Sequence, residues 1–528
     1  MKKTARFFIL ICLLVSITGC SNAQTELNNP EQSAAQAGSV SEINNYWPDD
    51  SWRESTPEKQ GMDSEKLSDM LEYIKSSGNE MHSIVIIRNG YKVLDANFFP
   101  YKSTIKHVVN SCTKSITSAL FGIAAQEGLI KGADAKVLDF FQDRPVKNSD
   151  ERKKALTLEH LLTMTAGFDW SENGSYGPND SWMRMRSSED PVQFILDNPM
   201  SESPGTSFYY NTGASHILSA VLNEVTGQKT ADYAEQKLFG PLGIKDVYWQ
   251  EDPQGVNIGG AGIYMTPQDM ARFGYLFLQN GLWKDTQVVP EHWVEQATAK
   301  KVDTPNGLAG RYGYGYQWWM NNFGGYSARG FGGQYIFVLP EYNMVAVFTG
   351  SLSGMGFFLP ESLVESFIIP SVKSVESLPE NSDSSARLAG LLKSYEAAPQ
   401  PEKVPELPEI AENISGKSIL MESGDQLYLS FSNGVNAEFR HGPSNSIAIG
   451  LDNVYKVSDA GKYWPLPDHN RVAAKGYWKD EKTFVIKLLS LYEMDELTYI
   501  LTFEKNQVDF VFASRQGGEL LRTKGEIK

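Results

Sequence analysis

Strand-like patterns stand at two widely separated places in the first two thirds of this 528-residue chain, and helix-like patterns fill the interval. Ser83 to Arg88 and Tyr91 to Leu94 are apolar-rich runs either side of Asn89-Gly90, a pair suited to a type I′ turn, so they predict a hairpin. Gln334 to Leu339 and Met344 to Phe348 predict two more strands, joined by a short turn through Pro340 and Asn343. Between them, Ser111 to Glu127 predicts a helix closed by Gly128, with Ile116, Leu120 and Ile123 on one face. A second helical run, Leu156 to Leu162, breaks at Ala166-Gly167, and a third, Gly213 to Val225, stops at Thr226-Gly227. Two distant pairs of strands with helices between them are satisfied most economically by an α/β fold. One antiparallel sheet is built from both ends, with helices on it and a helical lobe inserted.

That domain is expected over residues 46–370. Residues 371–413 are polar and proline-rich and predict a linker, interrupted by a short helix near Ser385 to Tyr395. Residues 414–528 predict a small all-β domain, a barrel or a sandwich. Its strands include Gln426 to Phe431, Thr483 to Lys487, Leu497 to Leu501 and Val508 to Phe512.

The N-terminus predicts an address. Lys2, Lys3 and Arg6 precede an apolar run from Phe7 to Ile17, too short to span a bilayer comfortably but suited to a signal peptide. Ile17-Thr18-Gly19-Cys20 follows and resembles the lipobox of bacterial lipoproteins. Residues 1–19 would then be removed, Cys20 lipidated, and residues 20–45, polar and without apolar periodicity, would form a tether. The protein would sit in the bacterial cell envelope, lipid-anchored on the extracytoplasmic side. A net charge of −16 without a like-charge block argues against nucleic-acid binding. Three cysteines, Cys12, Cys20 and Cys112, exclude a disulfide framework and a cysteine-rich metal site.

Chemistry concentrates in three places. Ser111-Cys112-Thr113-Lys114 opens a helix, which puts serine and lysine on one face with the hydroxyl near the positive helix end. A lysine desolvated by apolar packing can stand neutral and take the hydroxyl proton. Ser103-Thr104-Ile105-Lys106 has the same spacing but heads no amphipathic run. Tyr209 and Asn211 are two apart on an extended segment and therefore share a side, and a tyrosine near a lysine can act as base and then acid. Tyr210 is the adjacent rival. Ser327 to Gln334 carries Arg329, Gly330, Gly332 and Gly333, where a bare backbone can approach a ligand and a strand N–H can hold an oxyanion. No G-x-S-x-G elbow and no H-E-x-x-H motif occurs.

The order SxxK, YxN and glycine-rich strand resembles the penicillin-recognising serine hydrolases: class C β-lactamases, D-alanyl-D-alanine carboxypeptidases, related esterases and 6-aminohexanoate-dimer hydrolases. The runs Leu158 to Gly167 and Leu238 to Ile244 resemble further stretches of that family. Arg329 to Gln334, Asp180-Ser181-Trp182 and Tyr314 to Trp319 draw it toward the esterase and amide-hydrolase branch. The resemblance implies Ser111 as acylated nucleophile, Lys114 as its activator, Tyr209 as proton shuttle, and Asn211 positioning the substrate or Lys114. It implies an oxyanion hole from the Ser111 N–H and a backbone N–H near Gly332. Trp182, Tyr316 and Trp318 are expected as aromatic walls. The Lys-Thr-Gly of true β-lactamases is absent, and Arg329-Gly330 stands there, able to bind a carboxylate bidentately. The expected activity is hydrolysis of a small or peptide-like ester or amide, with no metal or cofactor. A β-lactamase, a D-alanyl-D-alanine carboxypeptidase-type enzyme and a non-catalytic envelope-binding protein are the alternatives.

Overall fold

Along the strand Met81–Arg88 successive side chains part company, as the two-residue period of a strand requires. Val85 and Ile87 enter one hydrophobic core, while Ile84 and Ile86 enter another on the opposite face of the sheet. The same division runs through Gln334–Leu339 and Met344–Gly350: Ile336, Val338, Val345 and Val347 on one side, Tyr335, Phe337, Ala346 and Phe348 on the other. A sheet apolar on both faces needs cover on both. The structure, a computed structural model, describes residues 46–528 apart from 173–176, 178, 305–311, 432–433, 443, 462–469 and 516–517.

The sheet is antiparallel and assembled from both ends of the domain, as expected. Tyr91–Asn97 pairs with Met81–Arg88, which pairs with Met344–Gly350, then Gln334–Leu339, then Tyr326–Gly330. Short strands at Trp319–Met320, Gly313–Tyr314 and Val302–Asp303 extend it. Asn89 (φ 52°) and Gly90 (φ 80°) both adopt positive φ, as a type I′ turn demands. One face is covered by Pro267–Leu278 and the helical lobe; the other by Ser64–Ser77 and the chain around Leu359 to Ile368. The segment read as a linker also contributes here. Ser382–Glu396 is a helix whose Leu388 is buried in the second core, whose Tyr395 hydroxyl donates to the Leu71 carbonyl (3.1 Å), and whose Arg387 pairs with Asp69 and Glu72.

Ten strands among the described residues build the C-terminal domain, from Ser418–Met421 to Gly518–Ile527. Nine of them close into a barrel where Ile447–Gly450 meets Asn470–Trp478 in a parallel pairing, and the tenth, Lys456–Gly461, pairs with Asn470–Trp478 alone. Closure removes the open edges that a sandwich would leave. The interior is filled by Leu427, Phe439, Ile486, Tyr499, Leu501 and Phe512, among others. The signal, tether and Cys20 readings fall outside the described residues.

Candidate active site

Ser111 occupies a 3₁₀ turn, Asn110–Cys112, that leads directly into the helix Thr113–Gln126. Almost every side chain of that helix is buried, because it runs between the sheet and the helix Thr212–Thr226. Gly122 is necessary there: a Cβ would collide with the Trp293 ring. Lys114 is consequently enclosed, and burial pushes its ammonium down to about 8, against the opposing pull of Glu172.

Three oxygens surround Lys114 Nζ: Ser111 Oγ at 3.0 Å, Thr212 Oγ1 at 2.9 Å and the Gly260 carbonyl at 2.8 Å. Their roles can be assigned from their own partners. A carbonyl only accepts. Thr212 Oγ1 gives its proton to Glu172 Oε1 (2.5 Å), so it too accepts from lysine. A neutral amine has two protons for these acceptors and one lone pair, and that lone pair is left for the Ser111 hydroxyl. Glu172 is held by the Thr212 N–H (2.8 Å) and the Trp170 indole N–H (2.9 Å), which orient the relay.

The turn bearing Ser111 opens on a cavity of 310 Å³ lined by Asn110, Ser111, Glu172, Asp180, Trp182, Tyr210, Thr212, Ala261, Trp319, Arg329, Phe331, Phe357 and Phe358. Six of these are aromatic. The strand Tyr326–Gly330 ends beside the turn that bears Ser111, and Gly330 lets it: a Cβ there would strike the Val109 carbonyl. Asn110 Nδ2 donates to the Phe331 carbonyl (2.8 Å), joining the Ser111 turn to the turn that follows the strand Tyr326–Gly330.

A profile of the Beta-lactamase family matches residues 79–356, more than half of the chain. The chain belongs to the Beta-lactamase family. Among its relatives, the 6-aminohexanoate-dimer hydrolase of Paenarthrobacter ureafaciens is 23% identical over 256 residues, 46% of this chain and 65% of the relative. Esterase EstB of Burkholderia gladioli is 27% identical over 144 residues, 25% of this chain and 36% of the relative. The chain thus spans less than two thirds of the length of either. A solved Bacillus anthracis structure that carries the name 6-aminohexanoate-dimer hydrolase shares the fold, with a TM-score of 0.52 at 20% identity over 62% of this chain and 89% of that one.

Within this family fold the site residues expected from sequence divide. Ser111, Lys114, Trp182 and Gly330 meet at the cavity or its wall. Tyr209 does not: its side chain is 48% exposed, whereas Tyr210 lines the cavity with Lys114 Nζ 4.7 Å from its ring centroid. Asn211 is buried as the N-cap of Thr212–Thr226, its Oδ1 accepting from the Ala214 N–H (2.9 Å), and Thr212 makes the contact to Lys114 instead. Tyr316 donates to Glu159 (2.7 Å) and Trp318 is fully buried against Phe273 and Phe277; Trp319 supplies the wall.

Arg329 reaches the wall but is occupied. Its guanidinium donates to Glu361 Oε1 (2.9 Å), Ser327 Oγ (2.9 Å) and Asn321 Oδ1 (3.0 Å), and lies over the Tyr312 ring. The carboxylate it was expected to bind is supplied by the protein. The alternative pair Ser103 and Lys106 is separated: Ser103 is buried against Gln268, and Lys106 pairs with Asp246 (2.8 Å). Glu172 and Thr212 were not singled out from sequence. Thr212 follows Asn211 directly, but nothing in the pattern around Glu172 marks it.

Proposed function

We propose that the protein is a serine hydrolase that cleaves an ester or amide through an acyl-enzyme on Ser111. The observation that carries this is the Lys114 arrangement: a buried amine 3.0 Å from Ser111 Oγ whose two other oxygen neighbours accept from it, so that once it is neutral its lone pair is available to the serine hydroxyl. Lys114 takes the Oγ proton as Oγ attacks the carbonyl carbon, and the carbonyl electrons move onto oxygen, held by the Ser111 N–H and an N–H of the turn Gly330 to Gly332. The tetrahedral intermediate collapses, the bond to the leaving alcohol or amine breaks, and that group takes a proton through Tyr210 from the Lys114 ammonium. Water then attacks the acyl carbon, giving its proton to the same pair, and Ser111 Oγ leaves with a proton returned to it. We assign this role to Tyr210 rather than Tyr209 because Tyr210 lines the cavity beside Ser111 and Lys114, whereas Tyr209 is exposed.

The substrate reading rests on the wall. Six aromatic side chains favour an apolar acyl or leaving group. Asp180 is buried, its Oδ1 capping a helix through the Met183 N–H (3.2 Å), while Oδ2 has no hydrogen-bond partner among the described residues. A substrate ammonium would complete it, and one relative is named for a substrate of that kind, a 6-aminohexanoate dimer. With Arg329 engaged by Glu361, a β-lactam carboxylate has no free cation of that strand to bind.

A fluorophosphonate probe and short-chain p-nitrophenyl esters test the reading. Wild type and Ser103→Ala should label and turn over, and Ser111→Ala should do neither. Full activity in Ser111→Ala would remove the nucleophile. Amides carrying a free amine should be hydrolysed faster than nitrocefin, and Asp180→Asn should lose that preference while keeping neutral esters. From its N-terminal sequence we also propose export and lipid anchoring at Cys20; Cys20→Ala should leave the membrane fraction.

A further inference from the structure

The barrel reaches the nucleophile. The loop between its strands Thr483–Ser490 and Glu496–Glu504 lies against both backbone segments that frame the oxyanion position. The Tyr492 carbonyl accepts from the Val108 N–H (2.7 Å), three residues before Ser111. Met494 Sδ accepts from Asn110 Nδ2 (3.1 Å) and packs on Gly332, where an added Cβ would collide with that sulfur.

The loop is itself fixed from behind. The Met494 carbonyl accepts from Ser351 Oγ and from Arg515 Nη2 (3.4 Å), and Arg515 also pairs with Glu80. Glu493 Oε1 accepts from the Tyr264 hydroxyl (2.5 Å), and Tyr264 pairs in turn with Val108 in a short sheet. Asn110, which makes this contact, holds a left-handed backbone (φ 47°), a conformation that asparagine adopts more readily than most residues.

We propose that Met494 is a positioning residue for acyl transfer. It wedges between Asn110 and Gly332 and sets the separation of the nucleophile turn from the strand-end turn that complete the oxyanion hole. The barrel is then part of the catalytic apparatus, acting through backbone that touches the substrate, although Met494 does not line the cavity. This rests on the Ser111 acyl-enzyme reading. An oxyanion hole stabilises the transition state more than the bound substrate, so a change in its width falls on kcat and leaves KM in place.

The full-length protein with Met494 replaced by Leu, Val and Ala provides the test, read as kcat and KM on a p-nitrophenyl ester and as the rate of fluorophosphonate labelling. Labelling rate and kcat should fall in the order Met, Leu, Val, Ala, by about 10- to 100-fold at Ala, with KM within about twofold and Leu close to wild type. Should Met494→Ala not fold, the order among the other three decides. A flat series in an active protein overturns the inference, and so does a rise in KM at constant kcat, which would make Met494 a substrate contact. If wild type itself shows no Ser111-dependent labelling, the underlying reading fails instead.

Discussion

Lys114 can accept a proton from Ser111 only after its own ammonium has lost one, and burial brings that loss down to about pH 8. In the mechanism proposed above the base form of lysine is the active one, so the labelling rate of wild type should rise with pH through a midpoint near 8 and then level. Glu172 holds that midpoint up, so Glu172→Gln should move it to lower pH; a midpoint that stays in place would exclude Glu172 from the relay. The paired tyrosines separate by the same assay. Tyr210→Phe should lower kcat by about 100-fold or more, and Tyr209→Phe by no more than a few-fold. The reverse result would return the shuttle to Tyr209. Arg329→Ala belongs to stability rather than to binding: it strands the buried Glu361 carboxylate, and such losses cost about 3–5 kcal/mol. A large drop in melting temperature is the expected signature.

Elements were easier to foresee than the side of each element that faces the site. The helix Thr212–Thr226 and its closing Gly227 (φ 68°) follow from apolar periodicity and a terminal glycine, both local properties. Tyr209 and Tyr210 sit on an extended segment, where neighbours point to opposite sides and a one-residue shift exchanges them. Trp318 and Trp319 pose the same problem, and in both pairs the later residue faces the cavity. Composition misdirected the reading of the segment 371–413. Its polar runs suggested a linker, yet Leu388 of the helix Ser382–Glu396 lies in the core shared with Leu67, Leu71 and Phe348. Leu388→Ala should destabilise the protein by about 2–4 kcal/mol, as removal of a core leucine does. An unchanged denaturation midpoint would show that this helix contributes no packing.

At the scale of the whole molecule, the barrel and the hydrolase body meet over a buried histidine pair. His107 Nδ1 donates to the Val108 carbonyl (2.9 Å), so its Nε2 accepts from His82 Nδ1 (2.9 Å), and His82 stacks on Tyr101. Tyr101 joins the barrel's Ala473, Leu489 and Leu491 in a small core. Burial pushes His107 down to about 4; burial, His107 and Arg515 together hold His82 well below the ordinary range. Both folded values lie below the unfolded one, near 6.5, so the stability involved is complete above that pH and is lost as pH falls through about 4. Glu493 at the same interface opposes this. Burial raises it to about 7, so its contribution is full below the ordinary carboxylate range and is lost as pH rises through 7. His107→Asn should accordingly shrink the fall in melting temperature between pH 6.5 and 4. An unaltered slope would place the acid sensitivity elsewhere.

Sequence alone determined what depends on near neighbours: the Asn89-Gly90 hairpin, the helix behind Ser111, four strands in each domain, and the pairing of serine with a lysine one helical turn on. Together with the order of its motifs, these were enough for the family. Tertiary structure decided everything that requires residues far apart in the chain to share a surface. Thr212 and Gly260 reach Lys114 from 98 and 146 positions away, and Met494 reaches Asn110 across 384. No period or spacing encodes such meetings. They are set by how the sheet is covered on both faces and by where the barrel docks, and they decide which oxygen receives the lysine's protons and which tyrosine faces the cavity.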